Sequence, residues 1–229
     1  YEELPEYEMR KLFIDLEALQ FRVGEGPTAH PLRPNDPRDN QEINVIGAYD
    51  SYTKKYYQWC MHPNFEEDIA LQRYDGEDSQ VKYFHDEARM LEDFVEFVDA
   101  IDPDVLLAWG MGFYDLPTLY RRLESTGVGA HKLVPSSMGR SRLMKPPRYK
   151  GVQYRWTEQP LPGRIVISLD KLYERIYRDS KSTNLPSMKL DVVGQTLFGR
   201  GKTQFRPDFY DADYDEFIDS YLYYNLVDV

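Results

Sequence analysis

The run Leu12-Phe13-Ile14-Asp15-Leu16-Glu17 sets two carboxylates into an otherwise apolar stretch, and this restricts the fold more than any other feature of the chain. These residue types predict a β-strand over residues 8–19. Strand alternation sends Asp15 and Glu17 to the same side, where both can grip one metal pair. Two further acidic signatures follow in order: Asp115 within Phe113-Tyr114-Asp115-Leu116-Pro117, and Tyr224-Asn225-Leu226-Val227-Asp228 at the C-terminus. A Tyr four residues before an Asp shares its helix face, so the Tyr224 hydroxyl can orient a water held by Asp228.

Four carboxylates and one phenol suit a two-metal phosphodiester hydrolase. A phosphodiester resists hydrolysis because its own charge repels hydroxide and its leaving group departs as an oxyanion. Two divalent ions about 3.5–4 Å apart address both difficulties. Hard ions such as Mg²⁺ and Mn²⁺ take oxygen ligands, so acids rather than His or Cys are expected. His30, His62, His85 and His131 are scattered, without the paired spacing of a zinc site. No nucleophile elbow supports Ser-His-Asp catalysis.

Each signature alone is cheap. The chain has 39 acidic residues and 19 Tyr, and Asp75-Gly76-Glu77 repeats the Asp-x-Glu pattern in a turn-like context that reads as a solvated loop. Specificity lies in order, separation and flanking residues. Asp15 and Glu17 match the first exonuclease motif of the 3′→5′ exonuclease domain of family B DNA polymerases, in the superfamily named for its Asp-Glu-Asp-Asp carboxylates. Asp102-Pro103-Asp104-Val105-Leu106-Leu107-Ala108-Trp109-Gly110, running into Tyr114-Asp115-Leu116-Pro117, resembles the second motif. Pro162-Gly163-Arg164-Ile165-Val166-Ile167 and Leu185-Pro186-Ser187-Met188-Lys189-Leu190-Asp191 resemble the connection to the third, which Tyr224 and Asp228 match. The chain departs from the family pattern at Gly110 (usually Asn), Tyr114 (usually Phe) and Ser168 (often Asp). Gly110 lacks a side chain to hydrogen-bond a substrate strand.

The resemblance implies an α/β domain of the ribonuclease-H-like fold, with a mixed central β-sheet flanked by helices and a β-hairpin insertion. It implies two divalent ions, Mg²⁺ or Mn²⁺, held by Asp15, Glu17, Asp115 and Asp228. In that scheme Asp15 bridges both ions, Glu17 and Asp228 complete the tighter site, Asp115 acts largely through water, and Tyr224 positions the attacking water. The expected activity is removal of nucleotides from DNA 3′ ends as the proofreading part of a polymerase. A free-standing DNA or RNA exonuclease and a non-catalytic binding or structural module of a polymerase are the competing expectations, the latter favoured by Gly110.

At 229 residues the chain can bury a sizeable core as one domain. Only fourteen residues precede Asp15 and one follows Asp228, so residues 1–229 are expected to be a single exonuclease domain excised from a longer polymerase. A single Cys, Cys60, excludes an internal disulfide and suggests a reducing compartment. With no membrane-length apolar run and no signal peptide, the expectation is an intracellular protein without membrane contact, cytoplasmic and nucleoid-associated if the host is prokaryotic.

The net charge of −11 is unusual for a nucleic-acid binder, but it conceals a division. Residues 121–202 carry 17 basic against 6 acidic residues, and the remainder holds 11 against 33. Arg140, Arg142, Lys145, Arg148, Lys150 and Arg155 are interleaved with Tyr149, Tyr154 and Trp156, with no acid between Ser136 and Arg155. Phosphate neutralisation with aromatic stacking holds single strands without sequence preference. These six basic residues and Tyr154 are therefore candidate contacts to a single-stranded 3′ end or a frayed primer terminus. Tyr149 to Arg164 reads as two strands around Thr157-Glu158-Gln159-Pro160, the hairpin that the family uses to keep primer and template apart.

Elsewhere, Phe21 to Asn40 reads as a loop excursion. Glu42–Asp50 and Lys54–Met61 form a hairpin, and Asp86–Ile101 is a helix with Met90, Leu91, Phe94, Val95, Phe97 and Val98 at core spacing. Val105–Trp109 is a buried strand, Leu116–Ser125 a helix ended by Gly127, and Met188–Phe198 and Tyr214–Asp228 are further helices.

Overall fold

The structure, a computed structural model, describes residues 7–18, 22–23, 30–31, 42–62, 69–74, 77–138, 148–150, 153–155, 159–180, 188–202 and 214–229. In chain order its strands are β1 (Lys11–Ala18), β2 (Arg22–Val23), β3 (His30–Pro31), β4 (Ile43–Asp50), β5 (Lys55–Met61), β6 (Ile69–Tyr74), β7 (Glu77–Phe84), β8 (Val105–Ala108), β9 (Arg148–Lys150), β10 (Gln153–Arg155) and β11 (Ile165–Ser168). The α-helices are α1 (Glu87–Ile101), α2 (Asp115–Ser125), α3 (Leu169–Ser180), α4 (Leu190–Phe198) and α5 (Tyr214–Asp228).

Seven strands make one mixed sheet in the order β11-β8-β1-β4-β5-β7-β6. β1 runs parallel to β8 and antiparallel to β4, and β8 runs parallel to β11. This is the α/β, ribonuclease-H-like arrangement expected for the chain. β1 alternates strictly: Leu12, Ile14, Leu16 and Ala18 are buried, and Lys11, Phe13, Asp15 and Glu17 are half-buried on the other face. The aliphatic face packs with Met90, Leu91 and Phe94 of α1 and Leu116, Leu119 and Leu123 of α2. Removing these side chains from water, at about 25 cal/mol per Å² of apolar surface, is the main drive for the two helices to cover that face.

The opposite face carries α5. Val45 of β4, Cys60 of β5, Val81 and Tyr83 of β7, and Ile218, Tyr221 and Leu222 of α5 form a second apolar cluster. Cys60 is fully buried there, and burial pushes its thiol pKa up. Gly47 of β4 lets α5 come close: a Cβ there would overlap Asn225 Oδ1 and lie 2.7 Å from Val229 Cγ2. α1 starts at Asp86, whose side chain accepts the Arg89 amide at 3.0 Å, and stops at left-handed Asp102 (φ 42°) before Pro103. A buried ion pair ties α1 to α2: Arg122 Nε donates to Glu87 Oε1 at 2.8 Å, and the same oxygen accepts the Ile43 amide at 2.8 Å.

Several expectations are corrected. The hairpin expected around residues 157–160 lies earlier: β9 pairs with β10 across residues 151–152, with Tyr149 opposite Tyr154. Gln159, expected in its turn, instead lies against edge strand β11, donating from Nε2 to Val166 O at 3.1 Å and accepting the Val166 amide at 2.7 Å. A side-chain amide thus mimics the next strand. Helix α3 and the β6–β7 hairpin are not among the elements read from the sequence, although α3 spaces Leu169, Leu172, Tyr173, Ile176 and Tyr177 as a helix does. Glu77, assigned to a solvated loop, begins β7 opposite Tyr74, and residues 75–76 lie outside the described residues. The excursion after β1 contains the short β2–β3 pair. Among the described residues no helix is long and apolar enough to cross a membrane.

Candidate active site

Because β1 alternates, its non-aliphatic face carries Phe13, Asp15 and Glu17 toward α5. α5 brings up Tyr224 and, one turn later, Asp228. Ligand oxygens of Asp15, Glu17 and Asp228 all lie within 4.8 Å of one another, and this is the acidic or histidine-containing group that converges among the described residues. Asp115 is the first residue of α2, which follows β8, the strand beside β1 in the sheet. Its charge raises the pKa values of both Asp15 and Glu17, although it stands outside the tight trio.

Like charges gathered under partial burial resist ionisation. Burial first, and then Glu17, Asp115 and Asp228, push Asp15 well above the usual carboxylate range. Burial, then Asp228, pushes Glu17 up to about 8. Burial raises Asp115 to about 7, against the backbone N–H groups of Asp115 itself, Leu16 and Gly110 that favour its anion. Asp228 is also raised, chiefly by burial. Tyr224 is pushed up to about 12 by burial and by the charges of Glu17 and Asp228, so its phenol keeps its proton.

Lys202 is the residue that sequence reasoning missed. It follows α4 by way of left-handed Gly199 (φ 66°), and its amide donates to Asp191 Oδ1 at 2.8 Å. A Cβ at Gly201 would overlap that same Asp191 oxygen, so glycine is required for the approach. The Lys202 ammonium donates to Asp228 Oδ2 and to Tyr224 Oη at 3.3 Å, and lies 5.2 Å from the Tyr224 ring centroid. It lowers the pKa values of Asp15, Glu17, Asp115 and Asp228, and its own is raised. In sequence it was one of 17 basic residues in a long segment, and only the flanking Gly199 and Gly201 marked it as the end of a tight turn.

Two of the three departures from the family pattern, Gly110 and Ser168, have local explanations. A Cβ on Gly110 would stand 3.2 Å from Asp115 Oδ2 and 3.2 Å from Phe113 Cζ, so the missing side chain makes room for that carboxylate against the Gly110 amide. Ser168 Oγ accepts the Gly112 amide at 3.1 Å and donates to Asp170 Oδ1 at 2.6 Å, which fixes the turn before α2 to the start of α3. A cleft of about 1230 Å³ reaches Asp228 among the four acids and is lined also by Phe13, Trp109, Val193, Phe198 and Lys202.

The trio fits hard divalent cations. All its donors are carboxylate oxygens, and Asp228 Oδ1 is buried without a hydrogen-bond partner, an atom that a cation would satisfy. Of the candidate DNA contacts, Arg140, Arg142 and Lys145 lie outside the described residues. Arg148, Lys150, Tyr154 and Arg155 fall on β9 and β10, of which the backbone pairing alone is described.

Comparison with known proteins is consistent with this geometry. The chain is 23% identical to the DNA-directed DNA polymerase of Escherichia phage RB69 over 221 residues, a match covering 86% of this chain and 23% of the phage protein. It is 29% identical to the DNA polymerase of Thermococcus litoralis over 118 residues, 52% of this chain and 6% of that protein. It is 25% identical to the DNA polymerase delta catalytic subunit of Schizosaccharomyces pombe over 127 residues, 54% of this chain and 11% of the subunit. The chain thus spans less than a quarter of the length of these relatives. Residues 37–193, with Asp115 among them, match the family model described as DNA polymerase family B, exonuclease domain, and the chain belongs to that family.

Proposed function

We propose that the chain is a metal-dependent 3′→5′ exonuclease that removes nucleotides from DNA 3′ ends and proofreads for a longer polymerase. The observation that carries this reading is the meeting of Asp15 and Glu17 from one strand with Asp228 and Tyr224 from one helix, leaving a buried Asp228 oxygen without a partner. Asp15, Glu17 and Asp228 would hold one divalent ion, and Asp115, with Asp15, a second. Two bound ions, Mg²⁺ or Mn²⁺, supply activation of water and stabilisation of the departing 3′ oxygen.

The chain's own groups orient and exclude. Tyr224, protonated over the working pH range, offers Oη to the nucleophilic water. Lys202 places a positive charge between Tyr224 and Asp228, where negative charge accumulates as the phosphodiester breaks. The basic residues 140–155 are assigned to a single-stranded 3′ end or frayed primer terminus, and the rest of the polymerase is the partner that completes the strand path.

The test is hydrolysis of a 5′-labelled single-stranded DNA with Mg²⁺ or Mn²⁺. The expected result is a ladder shortened stepwise from the 3′ end, absent in EDTA and absent in Asp15→Ala, which should still bind the strand. Internal cuts or shortening from the 5′ end would overturn the reading. Strand binding without hydrolysis in either metal would make the chain a non-catalytic module.

A further inference from the structure

Behind Asp15 lies a line of buried, uncharged polar side chains. Ser79 of β7, Gln58 of β5 and Asn225 of α5 are each no more than 1% exposed. Ser79 Oγ donates to Gln58 Oε1 at 3.1 Å. Gln58 Nε2 donates to Leu222 O at 2.8 Å and to Asn225 Oδ1 at 3.1 Å. Asn225 Nδ2 donates to Asp15 Oδ2 at 2.9 Å and to Asp15 O at 3.3 Å.

The direction of this chain is fixed by chemistry. The oxygen and nitrogen of an amide side chain are distinguished only by their partners. Leu222 O and Asp15 O are main-chain carbonyls and can only accept, so an N–H of Gln58 must face the first and an N–H of Asn225 the second. Both protons of each amide are then used, and each amide oxygen has a donor. The polarity Ser79 to Gln58 to Asn225 to Asp15 follows, and it delivers an N–H to one oxygen of Asp15.

We propose that Gln58 and Asn225 are positioning residues of the site, a buried amide relay that stops rotation of the Asp15 carboxylate and so presents its remaining lone pairs to a divalent cation. The proposal rests on the reading of Asp15 as a metal ligand. Neutral amides suit this task because they orient the carboxylate without cancelling its charge, as a buried Arg or Lys would. The same bonds pin α5, which carries Tyr224 and Asp228, to β1, which carries Asp15 and Glu17. Gly47 clears the space in which Asn225 does this.

The test compares wild type, Asn225→Leu, Gln58→Leu and the double variant by Mn²⁺ binding, read from the electron paramagnetic resonance of free Mn²⁺ without substrate. Leu keeps the branched shape of Asn and leaves no donor. Loss of such an outer partner typically weakens metal binding about 10–100-fold. Asn225→Leu should fall in that range, and Gln58→Leu, which frees the Asn225 amide to turn, near its lower end. The double variant should bind no worse than Asn225→Leu alone, since both act through one N–H. Ser79→Ala, the mildest change, should weaken binding in the same direction and serves if Gln58→Leu fails to fold. Unchanged affinity in folded variants, or losses that multiply in the double variant, would overturn the relay while leaving the metal site standing. A wild-type chain that binds no Mn²⁺ would remove both.

Discussion

Glu17→Gln should make the metal-free protein more stable at pH 8 and less responsive to metal, a pair of effects that a merely structural Glu17 would not produce. In the folded chain Glu17 is raised from 4.5 to about 8, by burial first and by Asp228 next. Between those values the folded state binds more protons than the unfolded state, so stability falls as pH rises through that window. The penalty is absent well below pH 4.5 and complete above pH 8. At pH 7 it amounts to about 3 kcal/mol if the whole shift is felt, and about 1–3 kcal/mol once water reaching the half-buried carboxylate is allowed for.

For a chain of this length 1 kcal/mol moves Tm by about 2–4 °C, so in EDTA at pH 7 the variant should melt about 2–12 °C above wild type, and further above it at pH 8. The gap should close as the pH is lowered toward 4.5. Mn²⁺ at about a hundred times its Kd should add about 2.7 kcal/mol to wild type, and much less to the variant that has lost a ligand, so the gap in melting temperature narrows. Differential scanning calorimetry at three pH values, with EDTA and with Mn²⁺, reads all of this. Parallel pH profiles for the two proteins in EDTA would refute the electrostatic account of the site.

Tyr224→Phe should slow single-strand hydrolysis by about 10–10³-fold while leaving Mn²⁺ affinity nearly unchanged, since it removes a water-orienting hydroxyl and no metal ligand; single-turnover rates and metal titration check the two halves. Lys202→Met should lower metal-free stability at pH 8 by about 1–3 kcal/mol, the typical worth of a hydrogen bond to a charged group in a partly exposed pair, with a smaller effect at pH 5, where Glu17 and Asp115 carry protons; urea unfolding at both pH values checks this. Replacing Arg140, Arg142 and Lys145 with Ala should weaken single-strand binding about equally for all sequences and reduce the salt slope by about 0.7 for each phosphate no longer neutralised; fluorescence anisotropy across a salt series would return the segment to a plain solvated loop if neither changes.

The legible parts of this protein were those where one periodicity or one chemistry dominates. β1 is legible because Leu12, Ile14 and Leu16 alternate with Phe13, Asp15 and Glu17. α1 is legible from Met90, Leu91, Phe94, Val95 and Val98, and α5 begins and ends where the sequence places it. α2 starts at Asp115 rather than Leu116, which turns a loop carboxylate into one held at a helix N-terminus. β7 was opaque because Glu77 and Asp78 open a strand whose core residues, Val81, Tyr83 and Phe84, come only at its end. Gln58 and Ser79 were opaque for a different reason. A polar residue on a strand reads as solvent-facing, and nothing local shows that α5 will close over it.

The four acids are not equivalent, and their surroundings divide the work among them. Asp115 is supplied by the fold with backbone donors from its own residue, Leu16 and Gly110, which offset part of the burial that raises it to about 7. Asp15 has the Asn225 amide on one oxygen. Asp228 has Lys202 on Oδ2 and nothing on Oδ1, and Asp228 is the first charge to act on Glu17 after burial. Glu17 and the open Asp228 oxygen therefore mark one edge of the site, beside the Tyr224 hydroxyl. A divalent cation there satisfies an orphaned oxygen and relieves the repulsion between Glu17 and Asp228 at once, whereas at Asp115 backbone donors already hold part of the charge. On the proposed reading the tighter ion belongs with Glu17 and Asp228 and the looser one with Asp115, an asymmetry that follows from where the main chain can and cannot reach an acid.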